Sequence, residues 1–354
     1  MYIVRDDLRG MRTKLDKERW IFVKKFLTFL GVLVFATVLI VVTRGGDDDS
    51  DLTTIRLSEV TRSVFYAPLY AAIELGFFEE EGIVIDLITS DGADNVMAAL
   101  LSGSADIGLS GPEATIYVYT QGRVDYAVVF AGLTARDGNF LIGRTPDFEW
   151  DDLRNAHILP GRRGGMPFMV FENVLRDKGI ADYVEFDNSI QFAAMAGAFL
   201  TGTADFVTAF EPVASAIELE GRGYVVASLG EETGELPYTT FYALGSFINT
   251  NPDLIQGFTN AIARGQDWVA ATTPYIIAEV IVPFFPGAEL EILANAIGRY
   301  QAIGAYALTP AITPEAFYLL QEIMIAAGEL TTKVPFEILI NNHFAENVPR
   351  RMIE

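Results

Sequence analysis

The sequence predicts an α/β protein of two similar lobes joined by a hinge, preceded by one N-terminal transmembrane helix. Three observations predict this. From residue 54 to residue 244, short apolar runs alternate with segments of helical period, the pattern of mostly parallel sheets covered by helices. The stretch MAALLSGSADIGLSGPE (97–113) is echoed by MAGAFLTGTADFVTAFEP (195–212), so that Gly103-Ser104-Ala105-Asp106 answers Gly202-Thr203-Ala204-Asp205 and Pro112 answers Pro212. Finally, Phe26 to Thr43 is apolar and free of charge, close to the ~20 residues that span a bilayer.

Residues 1–25 form a basic segment and 26–43 the membrane span, with the acidic run DDDSD following in a linker over 44–51. Basic residues before the span and acidic ones after it place the N-terminus in the cytoplasm and the body outside, a single-pass protein of the cell membrane. The apolar run exceeds the ~7–15 residues of a cleaved signal peptide, and no small-x-small cleavage site follows it. An uncleaved signal-anchor is therefore expected.

The body opens with a strand at 54–60, a helix at 65–75 stopped by Gly76, a strand at 82–88 and a helix at 91–101 with Gly103 past its end. A short buried strand follows at 106–109, then Pro112 in the first turn of a helix. Strands are expected at 126–133, 140–143, 156–159, 183–186, 205–209, 224–229 and 239–244, and helices at 168–178, 189–200 and 212–220. Beyond Asn251 the period is helical, over 252–272, 274–282, 289–305 and 314–327. The expected division is 52–143 plus 240–354 for one lobe and 144–239 for the other. Two chain crossings between lobes make a hinge.

The net charge is −22, but residues 1–44 carry nine basic and four acidic side chains, which leaves −27 on the rest. Such a body repels nucleic acid, since binding it means neutralising phosphates. There is no cysteine, which excludes disulfides, thiolate metal sites, a cysteine nucleophile and a lipid-modified cysteine at the membrane. His157 and His343 have no second ligand or base at a familiar spacing. Gly161-Arg162-Arg163-Gly164-Gly165-Met166 lacks the glycine spacing and Lys-Ser/Thr pair of a P-loop. No cofactor or metal is expected, and no catalytic constellation appears.

The stretch from Ser63 to Ala114 resembles solute-binding proteins of ABC importers, in the group covering sulfonates, taurine, nitrate and thiamine-pyrimidine precursors. The matching pieces are Ala67-Pro68-Leu69-Tyr70, Gly76 to Gly82 and Leu101 to Gly108, with Phe210-Glu211-Pro212-Val213-Ala214 resembling the group's aromatic-Glu-Pro segment. The resemblance covers roughly residues 54–345. It implies a type II periplasmic-binding fold, a small-molecule ligand, and an ABC permease with its ATPase subunit as partners. Relatives in single-membrane bacteria are often tethered through a lipidated cysteine, and here the span 26–43 would take that place. The wider family includes pyrimidine synthases built on a Cys-rich segment, which this chain cannot contain. A sensor ectodomain is disfavoured because 25 residues ahead of the span leave no room for a signalling domain.

Both repeats set a loop and a helix start after a short strand, where unpaired N–H groups face the crevice. Ser110, Gly111 and Glu113 are expected on one wall, and Thr208, Phe210 and Glu211 on the other. Arg163, Gly164 and Gly165 precede another helix and suit an anion. Phe65 and Tyr66 follow the first strand and can close over a ring, with Arg62 beside them. Phe192 adds a flat wall, and Asn139 lies near the first crossing. These residues leave two ligands open. Arg62, Arg162 and Arg163 favour an anion such as a sulfonate. Glu113 and Glu211, with the aromatic walls, favour an amino-bearing heterocycle, and a thiamine-related pyrimidine is the slight preference.

Overall fold

The alternating apolar runs form two five-stranded sheets of matching topology. The computed structural model describes residues 52–349. The expected basic segment 1–25, the span 26–43 and the linker 44–51 lie outside the described residues. Among the described residues no helix is long and apolar enough to cross a membrane.

The first lobe runs β1 (Thr53–Glu59), α1 (Ala67–Glu74), β2 (Ile83–Thr89), α2 (Ala93–Ser102), β3 (Ile107–Ser110), α3 (Glu113–Thr120) and β4 (Ala127–Thr134). The second runs β5 (Phe140–Gly143), β6 (His157–Leu159), α4 (Met166–Asp177), β7 (Glu185–Phe186), α5 (Phe192–Leu200), β8 (Phe206–Ala209), α6 (Val213–Leu219), β9 (Tyr224–Ser228) and α7 (Leu229–Thr233). The chain returns through β10 (Thr239–Leu244), and α8 (Gly245–Thr250), α9 (Pro252–Ala271), α10 (Pro274–Ile281), α11 (Leu290–Ala302), α12 (Pro314–Ala326), α13 (Phe336–Leu339) and α14 (His343–Glu346) follow.

The sheet orders are β2-β1-β3-β10-β4 and β7-β6-β8-β5-β9. In each, four strands point the same way and one, β10 or β5, runs antiparallel to both neighbours. That odd strand is in each case the first one the chain lays down after crossing from the other lobe. The pairing of β5 with β8 and β9 also corrects the expected boundary after residue 143. The first crossing lies at 135–139, and Phe140–Gly143 belongs to the second sheet. All four residues of β5 are buried, and a fully apolar run reads the same in either sheet.

The internal repeat has a structural cause. Gly103 (φ 75°) and Gly202 (φ 88°) take the left-handed conformation that ends the preceding helix. Ala105 and Ala204 are buried behind them. Asp106 then clasps the neighbouring strand: its carboxylate accepts from the Arg56 N–H at 2.9 Å, and its own N–H donates to the Arg56 carbonyl at 2.9 Å. Asp205 does the same to His157, at 2.9 Å and 2.8 Å. The Gly-x-Ala-Asp signature is thus a device for docking β3 and β8, not a ligand motif.

Helix α9 packs on α1 through a close backbone approach. A Cβ at Gly265 would stand 2.2 Å from the Pro68 carbonyl oxygen and 3.1 Å from the Ala72 methyl. Backbone cannot swing aside as a long side chain can, so Gly265→Ala is expected to lower stability by about 1–3 kcal/mol in urea unfolding. An unchanged midpoint would show that α1 and α9 lie farther apart.

Candidate functional site

The C-terminal ends of β1, β3 and β8 and the crossing at 135–139 meet where the lobes touch. Ser63 caps the turn after β1, accepting from the Phe65 N–H, and its hydroxyl reaches the Glu211 carbonyl of the second lobe at 3.3 Å. Phe65 is buried at the junction. Its ring lies 5.7 Å from Phe210 of the second lobe, 5.8 Å from Tyr66 and Tyr238, and 4.9 Å from Tyr300 on α11. Gly138 is small for this reason: a Cβ there would stand 2.9 Å from Phe65 and 3.0 Å from Phe210.

Beside this aromatic wall the structure buries polar atoms with no hydrogen-bond partner. Glu113 opens α3 and folds back over Gly111, where a Cβ would sit 2.0 Å from the Glu113 Oε2. That oxygen is buried and unpaired. Burial pushes the Glu113 carboxyl up to about 7, against the opposing pull of its own backbone N–H and of the Arg162 charge. Asp137 is wholly buried. Its Oδ1 accepts from the Asn139 backbone and side-chain N–H groups, both at 2.8 Å. Its Oδ2 makes no hydrogen bond of ordinary geometry, although the Tyr238 hydroxyl faces it, and burial pushes this carboxyl to about 7 as well. Asn139 donates to the Tyr238 hydroxyl at 3.1 Å and leaves its Oδ1 unpaired. Thr208, at the end of β8, leaves its buried Oγ1 unpaired. The charge of Glu113 acts on the Tyr66, Tyr238 and Tyr242 hydroxyls, which ties it to the same region. Ser110 is spoken for by Tyr242, at 2.7 Å between hydroxyls.

Buried polar atoms are nearly always paired, so a group of acceptors left open at one junction marks a place for donors from outside the chain. The structure brings Phe65, Tyr66, Ser110, Gly111, Glu113, Asn139 and Phe210 to this junction. It gives other expected residues different work. Arg62 is the counter-ion of Glu59, at 2.9 Å, and stacks on Tyr70 and Phe284. Glu59 is fully buried at the end of β1 and also accepts from the Tyr70 and Thr89 hydroxyls, both at 2.7 Å. The Glu211 carboxylate is occupied by the Ser215 N–H at 2.9 Å, the Ser215 hydroxyl at 3.0 Å and Arg299 at 2.8 Å. Arg163 bonds Asn188 at 3.3 Å and lies over Phe168. Gly164 and Gly165 belong to a loop that meets the first lobe, with the Gly164 carbonyl accepting from the Tyr117 hydroxyl. Phe192 begins α5, and its side chain lies outside what the structure describes.

Tyr238, Tyr300, Arg299 and Glu59 were not singled out by sequence. Tyr238 and Glu59 flank a crossing and a strand end, a position that was available as a signal. Arg299 and Tyr300 sit on a distant helix with no local mark.

Comparison with known proteins agrees with this architecture. Residues 64–273 match the family model described as "NMT1/THI5 like". The chain is 42% identical over 304 residues to YtlA of Bacillus subtilis (strain 168), whose name calls it a binding protein, covering 85% of this chain and 91% of that one. Among solved structures, the alkanesulfonate-binding protein SsuA of Xanthomonas axonopodis pv. citri, bound to MOPS, aligns with a TM-score of 0.66 at 15% identity, over 81% of this chain and 98% of that one. The nitrate-binding protein NrtA of Synechocystis PCC 6803 aligns with a TM-score of 0.65 at 13% identity, over 84% and 88%. At such identities these likenesses speak for the fold, that of two-lobed binding proteins. The extent of the family match and the identity to YtlA place the chain in a family: it belongs to the NMT1/THI5-like proteins.

Proposed function

We propose that this chain is the solute-binding component of an ABC importer, capturing a small organic nutrient between its lobes and delivering it to a permease and its ATPase. It binds and does not catalyse, in keeping with the binding-protein name of its relative. Residues 26–43 hold it at the outer face of the cell membrane, with the N-terminus in the cytoplasm.

The observation that carries the ligand reading is the set of open acceptors. Glu113 Oε2 and Asn139 Oδ1, with the Thr208 hydroxyl beside them, call for a ligand rich in N–H or O–H donors. The Phe65 and Phe210 rings suit a flat one. A thiamine-related aminopyrimidine meets both demands. The second reading is an anion, which the names of the sulfonate- and nitrate-binding structures favour. Against it, Arg62 is already paired with Glu59 and Arg162 with Asp94, and an oxyanion has no proton to offer the Glu113 and Asn139 oxygens.

Ligand binding shifts a two-lobed protein toward its closed form and raises its stability, by about 2.7 kcal/mol at a hundred times Kd. Melting the purified protein with an aminopyrimidine, an alkanesulfonate, taurine and nitrate is expected to give an upward shift with the first alone. A flat response to every small solute would argue against a binding protein of this kind.

A further inference from the structure

The loop Gly161–Gly165 joins β6 to α4, and its glycine content suggested an anion cradle. Its geometry says otherwise. Gly161 (φ 97°) and Gly164 (φ 74°) take left-handed conformations that other residues rarely adopt. Between them the chain turns Arg162 outward, across to the first lobe, where its guanidinium meets Asp94 in the first turn of α2 at 3.2 Å and 3.4 Å. The Gly164 carbonyl accepts from the Tyr117 hydroxyl of α3 at 3.0 Å, and the same hydroxyl lies 3.9 Å from the Met169 sulfur of α4. Glu329, beyond α12, faces Gly164 from the same lobe, 3.5 Å from where a Cβ would stand. None of these residues lies in either chain crossing, and none is among the open acceptors of the binding junction.

We propose that the Gly161–Gly165 loop is a latch between the lobes, with the Arg162–Asp94 ion pair and the Tyr117–Gly164 hydrogen bond as its two catches, holding the lobes together with or without solute. The latch sets how long the closed form lasts and leaves the choice of solute to the junction. The two catches differ in physical character. The ion pair is exposed on both sides, 65% and 62%, so it is weak and screened by salt. The tyrosine bond is partly buried and insensitive to salt. Each is expected to change the open-to-closed ratio about two- to fivefold, and the two together on the order of tenfold.

The absence of cysteine allows clean labelling of the full chain. Spin labels on Val124→Cys and Asp182→Cys, exposed positions on opposite lobes, report the interlobe distance by pulsed dipolar spectroscopy without added solute. Asp94→Asn and Arg162→Gln are each expected to enlarge the long-distance population two- to fivefold at about 50 mM salt and not at about 1 M, where the screening length is ~3 Å. The double variant is expected to open no further than either single, as for two ends of one interaction. Tyr117→Phe is expected to enlarge the same population at both salt concentrations. A wild-type distribution already fully open, a distribution indifferent to all the variants, or additive effects of Asp94→Asn and Arg162→Gln would overturn the latch. Because no solute is present, such a failure leaves the ligand reading untouched.

Discussion

Glu113→Gln is expected to raise the stability of the ligand-free protein above neutral pH while abolishing solute capture. The Glu113 carboxyl moves from an ordinary 4.5 to about 7 because burial disfavours its charge. Between those values the folded state holds a proton that the unfolded state has released. Its contribution to stability is therefore full below pH 4.5 and is lost as pH rises through about 7. At ~1.4 kcal/mol per pKa unit the loss is on the order of 3 kcal/mol. A glutamine carries no such charge, so the difference between variant and wild type should be small near pH 4.5 and widen to its full value above pH 7. Asp137, moved from 3.8 to about 7, follows the same sign, and Asp137→Asn should flatten its share. Urea unfolding across this pH range reads both. Parallel pH profiles for wild type and Glu113→Gln would mean that the carboxylate is solvated.

Arg299→Met is expected to cost about 3–5 kcal/mol, the largest loss of any single change proposed. Arg299 reaches from α11 to two carboxylates of the second lobe, Glu211 at 2.8 Å and Glu218 at 2.6 Å. The Glu211 side chain is fully buried, and burial already pushes its carboxyl upward. Removing the guanidinium leaves that charge with only the Ser215 donors. Adding Glu211→Gln to Arg299→Met should recover much of the loss, since the amide needs no counter-ion. A loss below about 1 kcal/mol, or no recovery in the double variant, would show that the pair is solvent-screened.

The contrast between Glu113 and Glu211 shows how far the sequence could be read. Both follow a short buried strand and flank the proline that the two halves of the repeat share, Glu113 just after Pro112 and Glu211 just before Pro212. The difference lies one helical turn on. Four residues after Glu211 stands Ser215, whose N–H and hydroxyl both bond the carboxylate. Four residues after Glu113 stands Tyr117, whose hydroxyl is committed to Gly164 in the other lobe. Glu113 is left open and Glu211 is not.

Periodicity, capping glycines and the repeat made most strands and helices legible, because those signals are local. The place of β5 was not, since its apolar run satisfies either sheet. The arginines misled for a related reason. Arg62 and Arg162 read as free cations, yet Glu59 neutralises the first from three residues away and Asp94 the second from 68 residues away, the latter a pairing that only folding makes. Arg299 is the extreme case, 88 residues from its buried partner.

On the function proposed above, a donor-rich flat solute is held by the open acceptors around Glu113. Calorimetric titration of wild type and Glu113→Gln with an aminopyrimidine, an alkanesulfonate and nitrate tests it most directly. The prediction is binding of the aminopyrimidine to wild type, its loss in Glu113→Gln, and no heat from either anion. Binding of the sulfonate or nitrate to wild type, with the aminopyrimidine silent, would contradict it.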